Sequence, residues 1–349
     1  MTRVITFTAP RAATITTIPQ QAVGPHDVRL RTLYTGISAG TELTAYRGTN
    51  PYLAHLWDDR RRLFVDGAET SESYPMEAWG YEEVGEVVER GSAVDEVPLG
   101  ARVWGAWGHR TDVVVRAKWA AARVLPAGAD ARIGVFSKIG GIALNTLLDA
   151  DIHVGETVAV FGLGVPGQLA AQLVRLNGGR VIAVDGIAAR RDLAARLGAD
   201  VVLDPADASP AEVVRDLTSG RGADVCLEIT GSHAALHEAI RTVAYNSRVV
   251  VAGFFQGGAA PLRLGEEFHH NRIDLRASQI SGVAPGLQHR WDEYRLAATA
   301  IDLAVDERLD VLSLISHSIT FAHAADAYRQ LDDHPEDALQ VVLDATEEK

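Results

Sequence analysis

The sequence predicts an α/β protein with a doubly wound parallel sheet joined to a second, β-rich domain. Residues 158–185 read as strand, glycine-rich turn, helix and second strand. Strand and helix patterns alternate from about residue 137, which favours a parallel sheet with helices on both faces. Short β-rich runs separated by glycines fill residues 1 to about 125. A chain of 349 residues is long enough for two such domains.

The turn after the first strand of the parallel sheet has the pattern of a dinucleotide-binding loop. Gly162 permits the tight turn, Gly164 lets the backbone approach a pyrophosphate, and Gly167 lets helix and strand pack closely. The helix N-terminus then offers free N–H groups to the phosphates. We therefore predict cofactor contacts along the whole turn, from Gly162, Leu163, Gly164, Val165, Pro166 and Gly167.

The second strand ends in Asp185, which favours NAD(H) because a carboxylate binds both ribose hydroxyls and repels a 2′-phosphate. Arg190 and Arg191 follow, and an arginine there would accommodate that phosphate, so NADP stays possible. We include Arg190 in the cofactor site. Two later strand ends are expected to touch the ribose or nicotinamide, through Thr230, Gly231, Ser232, Gly253 and Phe254.

The remaining patterns set the expected domain limits. They predict helices over 140–150, 188–197, 291–305 and 322–331, and strands over 201–203, 224–229, 248–252, 273–278, 312–320 and 339–343. Ser209 and Glu212 form a capping-box pattern at the start of a further helix. We expect residues 137–281 to form the coenzyme domain, and residues 1–136 with 282–349 to form the other.

A long insertion lies between Gly48 and Gly80 and carries several aromatic residues. A connection of this length is usually a functional lid or a mobile loop. Its aromatic side chains include Tyr52, Trp57, Tyr74 and Trp79.

Composition excludes several classes of partner. The net charge is −13 with no basic stripe, which argues against a nucleic-acid partner. The N-terminus has no apolar signal region and we expect no membrane span, so we predict a cytoplasmic protein. Cys226 is the only cysteine, which excludes intrachain disulfides and multi-cysteine zinc sites.

Four segments in the expected order resemble the medium-chain dehydrogenase/reductase superfamily, which is alcohol dehydrogenase-like, over essentially the whole chain. These are the turn from Thr35 to Glu42, Gly80 to Val87, Gly100 to Trp104, and the closing helix and strand at 324–328 and 340–343. The resemblance implies a GroES-like catalytic domain and a Rossmann coenzyme domain. It also implies a homodimer or homotetramer that forms through the last Rossmann strand.

The chain departs from this superfamily at the catalytic metal. Zinc-dependent members use a Cys, a His and a later Cys or acid, at positions occupied here by Ser38 or Ala39, Tyr81 and Ser137. Their structural zinc lobe is also missing. Serine, alanine and tyrosine are not normal zinc ligands, so we predict no zinc. The chain thus resembles the zinc-lacking branch with bacteriochlorophyllide dehydrogenase-like proteins, and a residual metal site from Glu82 and His109 is the alternative.

Without a metal, a carbonyl still needs a proton donor and an alcohol needs a base. Tyr81 replaces the lost histidine and is our first candidate, the alternative being a pocket-lining aromatic. Lys138 is the second, either lowering the pKa of Tyr81 or contacting the oxyanion, unless it forms a surface salt bridge. Thr41 matches the hydroxyl proton relay of the superfamily, although it also suits a turn, and Ser38 joins it in the predicted catalytic set.

The predicted substrate pocket combines aromatic and polar residues. Trp107 occupies the position of a substrate-contacting aromatic, but core packing would suit it and Trp104 equally well. The histidines before the last Rossmann strand would suit a polar or anionic substrate, the alternative being capping and interface salt bridges. The full predicted set is Trp104, Trp107, His109, Ser137, His269 and His270.

We therefore predict a zinc-independent oxidoreductase that moves hydride between NAD(H) and a carbinol or ketone of a polar, sugar-like or biosynthetic intermediate. One alternative is an NADPH-dependent double-bond or quinone reductase, since such relatives also lack zinc. Another is a crystallin-like nucleotide-binding protein without turnover. The sequence leaves open the substrate, the direction of transfer, the choice of NAD or NADP, the proton donor and the oligomer size.

Overall fold

The computed structural model describes residues 1–67 and 69–347, and its contacts divide them into two units. Unit 1 comprises Met1–Lys138 and Ile315–Lys349, and unit 2 comprises Ile139–Leu314. Ala68 and residues 348 and 349, including the predicted end of the first domain, lie outside the described residues.

Unit 1 begins with short strands, as its glycine-punctuated sequence predicts. The strands are β1 (Thr2–Ala9), β2 (Ala12–Ile18), β3 (Asp27–Ile37), β4 (Leu56–Asp58), β5 (Leu63–Val65), β6 (Met76–Glu77), β7 (Glu83–Arg90), β8 (Arg102–Gly105) and β9 (Asp112–Arg116). Two short helices interrupt them, α1 (Glu42–Arg47) and α2 (Ala117–Ala121). A short turn of residues 38–41 joins β3 to helix α1, and the candidate site lies at this turn.

Unit 2 contains the alternating strands and helices. They run α3 (Ser137–Ala150, whose first two residues belong to unit 1), β10 (Thr157–Phe161), α4 (Val165–Leu176), β11 (Arg180–Val184), α5 (Ala188–Arg196), β12 (Val201–Leu203), α6 (Pro210–Leu217), β13 (Ala223–Glu228), α7 (His233–Thr242), β14 (Val243–Val251), β15 (Asp274–Ala277) and α8 (Glu293–Val305). The strands pair in the order β12-β11-β10-β13-β14-β15, and every pairing is parallel. The predicted fold class is confirmed.

The chain returns to unit 1 through β16 (Ile315–Thr320), α9 (Ala324–Asp333) and β17 (Gln340–Asp344). Strand β17 pairs with both β16 and β3 in a mixed sheet of order β16-β17-β3-β7-β8, with β9 also paired to β3. Helix α9 contributes Tyr328, which is fully buried and stacks on Tyr46 at 5.4 Å between ring centroids. The C-terminal segment therefore completes the core beneath α1.

The second boundary lies at Leu314 rather than before residue 282. Residues 282–314, expected with the first domain, belong to unit 2 because α8 packs closely on α3. A Cβ atom at Gly140 would lie 2.7 Å from the Cβ of Ala300. Gln172 also exchanges two hydrogen bonds with the backbone of Asp310. Glycine lets the two helices approach, and the sequence pattern alone did not indicate this contact.

Local expectations differ in three places. Ser209 is the N-cap residue of α6, but its hydroxyl donates to Glu238. Glu238 also accepts from the Ala211 N–H and so replaces the expected capping box. The predicted strand over 312–320 starts with a 3-10 turn at Leu312–Leu314. Residues Ala131–Ala150 are long and apolar enough to cross a membrane, contrary to our expectation, but 83% of that window is buried inside the protein, as expected of a core helix.

Candidate active site

The turn between β3 and α1 brings three predicted catalytic hydroxyls together. Ser38 follows β3, Thr41 precedes α1, and Tyr81 lies just before β7, the strand that pairs with β3. The Tyr81 phenol donates to Thr41 Oγ1 at 3.1 Å and shares a short hydrogen bond with Ser38 Oγ. Ser38 is buried and Thr41 is partly exposed. The three groups form a continuous hydroxyl chain, which is the arrangement needed to pass a proton.

Glu42 fixes the backbone that carries these hydroxyls. Its N–H donates to the Ser38 carbonyl at 2.8 Å, and its Oε1 accepts from the Ser38 N–H at 2.8 Å. Its other oxygen, Oε2, accepts from the Tyr328 hydroxyl at 2.5 Å and contacts His109 Nε2 at 2.7 Å. Both Glu42 and Tyr328 are fully buried. No sequence pattern indicated this role, although Glu42 ends the segment that carries the superfamily resemblance.

His109 lies inside this network and not in a pocket. Its ring is fully buried between Glu42 and Thr35, whose Oγ1 lies 2.7 Å from His109 Nδ1. Burial opposes the imidazolium, but the carboxylates of Glu42 and Glu83 outweigh it and raise the pKa of His109. The expectation that His109 lines the substrate pocket is wrong, because its side chain has no exposed surface.

Tyr81 is a neutral phenol in this setting. Burial raises the pKa of Tyr81, the charges of Glu82 and Glu42 raise it further, and the hydrogen bonds with Ser38 and Thr41 only partly oppose them. The direction is opposite to the one that a neighbouring Lys138 would produce. Lys138 lies in the first turn of α3, half-buried, directly after the buried Ser137. Tyr81 is therefore suited to donate a proton rather than to act as a phenolate.

Glu82 is fully buried next to this cluster. Neither carboxyl oxygen has a hydrogen-bond partner among the described residues. The nearby Gln340 amide donates instead to the carbonyls of Ile37 and Val341. Burial, together with the charges of Glu42 and Glu83, raises the pKa of Glu82 well above its ordinary value. Burial therefore stabilises the protonated form of Glu82 relative to that of an exposed glutamate.

The donor set at the position of the superfamily metal does not fit zinc. Ser38 and Tyr81 offer hydroxyl oxygens that already bond to each other, and Ser137 offers a third hydroxyl. A catalytic zinc takes three donors from Cys, His, Asp or Glu. Over residues 1–67 and 69–347, groups of three such side chains with close ligand atoms lie elsewhere, at His237, Glu266 and Glu267 and at His334, Glu336 and Asp337.

The two predicted pocket tryptophans are held by packing. Trp104 is 5% exposed, and the Arg123 guanidinium carbon lies 5.4 Å from the centroid of the Trp104 ring. Trp107 is partly exposed, and its indole N–H donates to Thr32 Oγ1 at 3.0 Å. Its backbone N–H donates to Glu83 at 2.6 Å. The structure therefore places Trp104 in the core, and Trp107 keeps some exposed surface.

The glycine turn of unit 2 has the geometry that a dinucleotide requires. Gly162 has φ of +92°, a left-handed conformation that favours glycine. A Cβ at Gly167 would lie 1.8 Å from the Gly162 carbonyl oxygen, so only glycine allows this approach of helix and strand. At Gly164 a Cβ would meet nothing closer than Pro166 at 4.0 Å, so space is open before the N-terminus of α4. These features fit a bound pyrophosphate.

Asp185 closes the other side of this turn. Its carboxylate accepts from the Leu163 N–H at 2.7 Å and from the Ile187 N–H at 2.8 Å. Arg191 is tied to this loop, since it donates to the Asp185 carbonyl and pairs with Asp204 at 2.7 Å. Both members of that ion pair are largely buried. Arg191 is therefore already paired with Asp204, and backbone N–H groups hold the Asp185 carboxylate in place.

The next strand end is organised by Glu228, which the sequence analysis did not single out. Its carboxyl group is buried and accepts from the Thr230 N–H at 2.7 Å, from the Thr230 hydroxyl and from the Gly231 N–H at 3.4 Å. Burial raises the pKa of Glu228 despite these bonds. A Cβ at Gly253 would lie 2.3 Å from the Gly231 nitrogen. The predicted segments around Gly231 and Gly253 are thus brought together.

Four further predicted residues lie at the surface of unit 2. Ser232 caps α7 by accepting from the Ala235 N–H at 3.5 Å. Phe254 is 44% exposed. His269 and His270 are exposed and meet edge to face with ring centroids 5.4 Å apart. Neither the capping of Ser232 nor the exposure of the histidines decides their predicted roles.

Comparisons with known proteins show the family and the fold of the chain. Residues 164–300 match the family described as zinc-binding dehydrogenase. D-guloside 3-dehydrogenase of Escherichia coli K12 is 30% identical over 340 residues, covering 96% of this chain and 97% of that enzyme. A zinc-binding dehydrogenase structure from Sinorhizobium meliloti, bound to NADP, superposes with a TM-score of 0.76 at 22% identity, covering 99% of both chains.

A second solved structure carries the other nicotinamide cofactor. It is an alcohol dehydrogenase from E. coli CFT073 in complex with NADH, with a TM-score of 0.75, 19% identity, and coverage of 98% of this chain and 99% of that one. The chain belongs to the zinc-binding dehydrogenase family of the alcohol dehydrogenase-like superfamily, and it is an oxidoreductase that acts on CH–OH groups with a nicotinamide cofactor.

Proposed function

We propose that this protein oxidises a secondary hydroxyl of a hexose glycoside, or reduces the matching ketone, with NAD(H) and without zinc. The observation that carries the proposal is the hydroxyl chain of Ser38, Tyr81 and Thr41 at the position of the superfamily metal. The full-length similarity to a D-guloside 3-dehydrogenase supports the substrate class. A sugar is also a polar substrate, which is the class of substrate that the sequence predicts.

In the reduction direction, Tyr81 donates its phenolic proton to the oxyanion that develops on the substrate. Ser38 and Thr41 then return a proton to the phenol, and the partly exposed Thr41 links the chain to water. In the oxidation direction, Tyr81 accepts the substrate proton while it passes its own along the chain, because its raised pKa disfavours a free phenolate. NAD(H), when bound, supplies or accepts the hydride.

Support for NAD(H) comes from the loop that follows β11. The Asp185 carboxylate is fixed by the Leu163 and Ile187 N–H groups, at the place where a ribose is held in dinucleotide-binding folds. Arg191, which would otherwise suit a 2′-phosphate, is paired with Asp204. Residues Gly162 to Gly167 would hold the pyrophosphate. This arrangement also disfavours the alternative of an NADPH-dependent double-bond reductase.

We also propose that two chains associate through β15. It is the edge strand of the parallel sheet, and Leu275 on it is 38% exposed. Such an edge offers unpaired backbone groups to a second strand.

The direct test measures cofactor reduction with methyl hexosides, free hexoses and polyols, using NAD⁺ and NADP⁺ in parallel. We expect turnover of a hexoside with NAD⁺, a lower kcat/KM with NADP⁺, and unchanged activity after dialysis against a chelator. Elemental analysis of the active protein should show no stoichiometric zinc. Zinc at one per chain, with activity lost on chelation and restored by zinc, would contradict the zinc-independent mechanism.

A further inference from the structure

The insertion between α1 and Tyr81 presents a group of aromatic rings outside the hydrophobic cores. Its strands β4 and β5 form a two-stranded hairpin. Phe64 lies at the centre of the group, with ring centroids 4.9 Å from Trp57, 5.4 Å from Tyr52 and 6.2 Å from His55. We call these four residues the aromatic hairpin.

Several of these apolar groups remain exposed. Phe64 is 45% exposed, its neighbour Leu63 is 54% exposed, and Trp57 and Tyr52 are partly exposed. An isolated two-stranded hairpin is marginally stable in water and gains little from apolar side chains that face solvent. Grouped, exposed aromatic residues of this kind usually mark a binding surface.

Hydrogen bonds connect the aromatic hairpin to the catalytic turn. Thr44 donates its N–H to the Thr41 carbonyl at 3.1 Å, and its Oγ1 accepts from Asn50 Nδ2 at 2.8 Å. Asn50 Oδ1 accepts from the Tyr52 N–H at 3.0 Å. Helix α1, which lies between them, has six residues and a length of about 9 Å. A chain of hydrogen bonds therefore joins Thr41, the partner of Tyr81, to the backbone of Tyr52 in the aromatic hairpin.

Polar groups border the rings. The Trp57 indole N–H donates to Asp59 Oδ1 at 2.7 Å, and His55 pairs with Asp66 at 2.8 Å. Arg61 bonds to Asp58 at 2.6 Å at the tip of the hairpin. Flat apolar rings surrounded by carboxylates and a guanidinium suit a ligand with a flat apolar face and hydroxyls at its edge.

We propose that the aromatic hairpin is a subsite for the aglycone, or the second ring, of the glycoside substrate. This inference rests on the proposed function, since a glycoside carries such a group beyond the sugar that is oxidised. Trp57 and Phe64 stack on this group, and the polar border binds its hydroxyls. The subsite sets which glycosides are preferred and takes no part in proton transfer.

The test compares the 4-nitrophenyl and methyl glycosides of one hexose in the wild-type protein and in Trp57→Ala and Phe64→Ala variants. We expect KM for the aryl glycoside to rise about tenfold or more in each variant, the range of an apolar subsite contact. Values of kcat and KM for the methyl glycoside should not change. Trp291→Ala, which removes a partly exposed tryptophan stacked on Arg295 in unit 2, is the matched control and should affect neither substrate.

Calorimetric binding of the 4-nitrophenyl glycoside to the NADH-loaded protein separates this inference from the proposed function. A Kd that rises about tenfold in Phe64→Ala supports the subsite, whether or not the wild-type protein turns over a hexoside. Absence of hexoside turnover in the wild-type protein would reject the proposed function alone. Equal Kd and KM values in the wild-type and variant proteins would overturn the subsite while hexoside turnover still stands. A change of oligomeric state in either variant would also overturn it, by making the hairpin a subunit contact.

Discussion

At the scale of single residues, the candidate site consists of three hydroxyl groups in one hydrogen-bonded chain. Tyr81, Ser38 and Thr41 share hydrogen bonds, and a neutral phenol beside two hydroxyls can donate a proton and be reprotonated. The raised pKa of Tyr81 favours this donor role over the phenolate that the sequence also allowed. The direction of the pKa shift depends on burial and on Glu82 and Glu42, which no single motif reveals.

Removal of the Tyr81 hydroxyl tests this role. We expect Tyr81→Phe to lower kcat by about 10² to 10⁴, the usual contribution of a positioned acid or base, with a smaller effect on KM. Ser38→Ala and Thr41→Ala should each lower kcat less, because water can replace one relay hydroxyl. Steady-state kinetics in both directions measure these values.

The control for this substitution is Tyr245→Phe, which changes a 64% exposed tyrosine in unit 2 and should keep full activity. A Tyr81→Phe enzyme with unchanged kcat would show that the phenol only lines the pocket. Lys138, the second predicted candidate, would then be the next residue to substitute.

At the scale of elements, the junction of β3 and β7 buries more carboxyl groups than it can pair. Glu42, Glu82 and Glu83 are all fully buried, and the carboxylates of Glu42 and Glu83 raise the pKa of the neighbouring His109. Glu83 accepts from the Trp107 N–H and the Thr35 hydroxyl, whereas Glu82 has no hydrogen-bond partner among the residues that the structure covers. Breaking or charging such a buried network is strongly destabilising.

The Glu82 carboxyl group makes stability depend on pH. The pKa of Glu82 is raised in the folded protein. The contribution of this group to the free energy of unfolding is therefore greatest below its unfolded pKa, near 4.5, and falls as the pH rises toward the folded pKa. The loss is at most about 1.4 kcal/mol per pH unit. Glu82→Gln removes the titrating carboxyl group, so this loss of stability does not occur in the variant. We therefore expect the free energy of unfolding of Glu82→Gln to exceed that of the wild-type protein at pH 7.5, by a difference that is smaller at pH 5.

Denaturant unfolding at several pH values measures that difference. Glu86→Gln is the control, because Glu86 is a partly exposed acid of β7 that pairs with Arg31 at 2.6 Å and should give a small effect. A difference between Glu82→Gln and the wild-type protein that stays constant from pH 5 to 7.5 would mean that Glu82 does not change its protonation on unfolding.

At the scale of the whole molecule, the chain leaves unit 1 after Lys138 and returns to it at Ile315. Unit 1 carries the hydroxyl chain, and unit 2 carries the glycine turn, Asp185 and the edge strand β15. The residues proposed for proton transfer therefore lie in unit 1, and those proposed to bind NAD(H) lie in unit 2.

Association through β15 is the prediction at this scale. We expect the wild-type protein to be a dimer or tetramer by light scattering, and Leu275→Pro to shift it toward monomer by removing an edge N–H and an exposed apolar group. Leu99→Pro, at a 58% exposed residue of unit 1, is the control and should not change the mass. A monomeric wild-type protein, or a Leu275→Pro variant of unchanged mass, would reject this interface.

The sequence by itself determined the parallel sheet, its strands and the glycine turn, because alternating patterns and glycine spacing are local signals. It also predicts that the metal ligands are replaced, since Ser38 and Tyr81 lie inside segments that carry the superfamily resemblance. Only the tertiary structure decided that His109 is a buried partner of Glu42, that α8 packs on α3, and that Glu228 holds the second strand end. Each of these depends on contacts between residues far apart in the chain, which carry no periodic signal in the sequence.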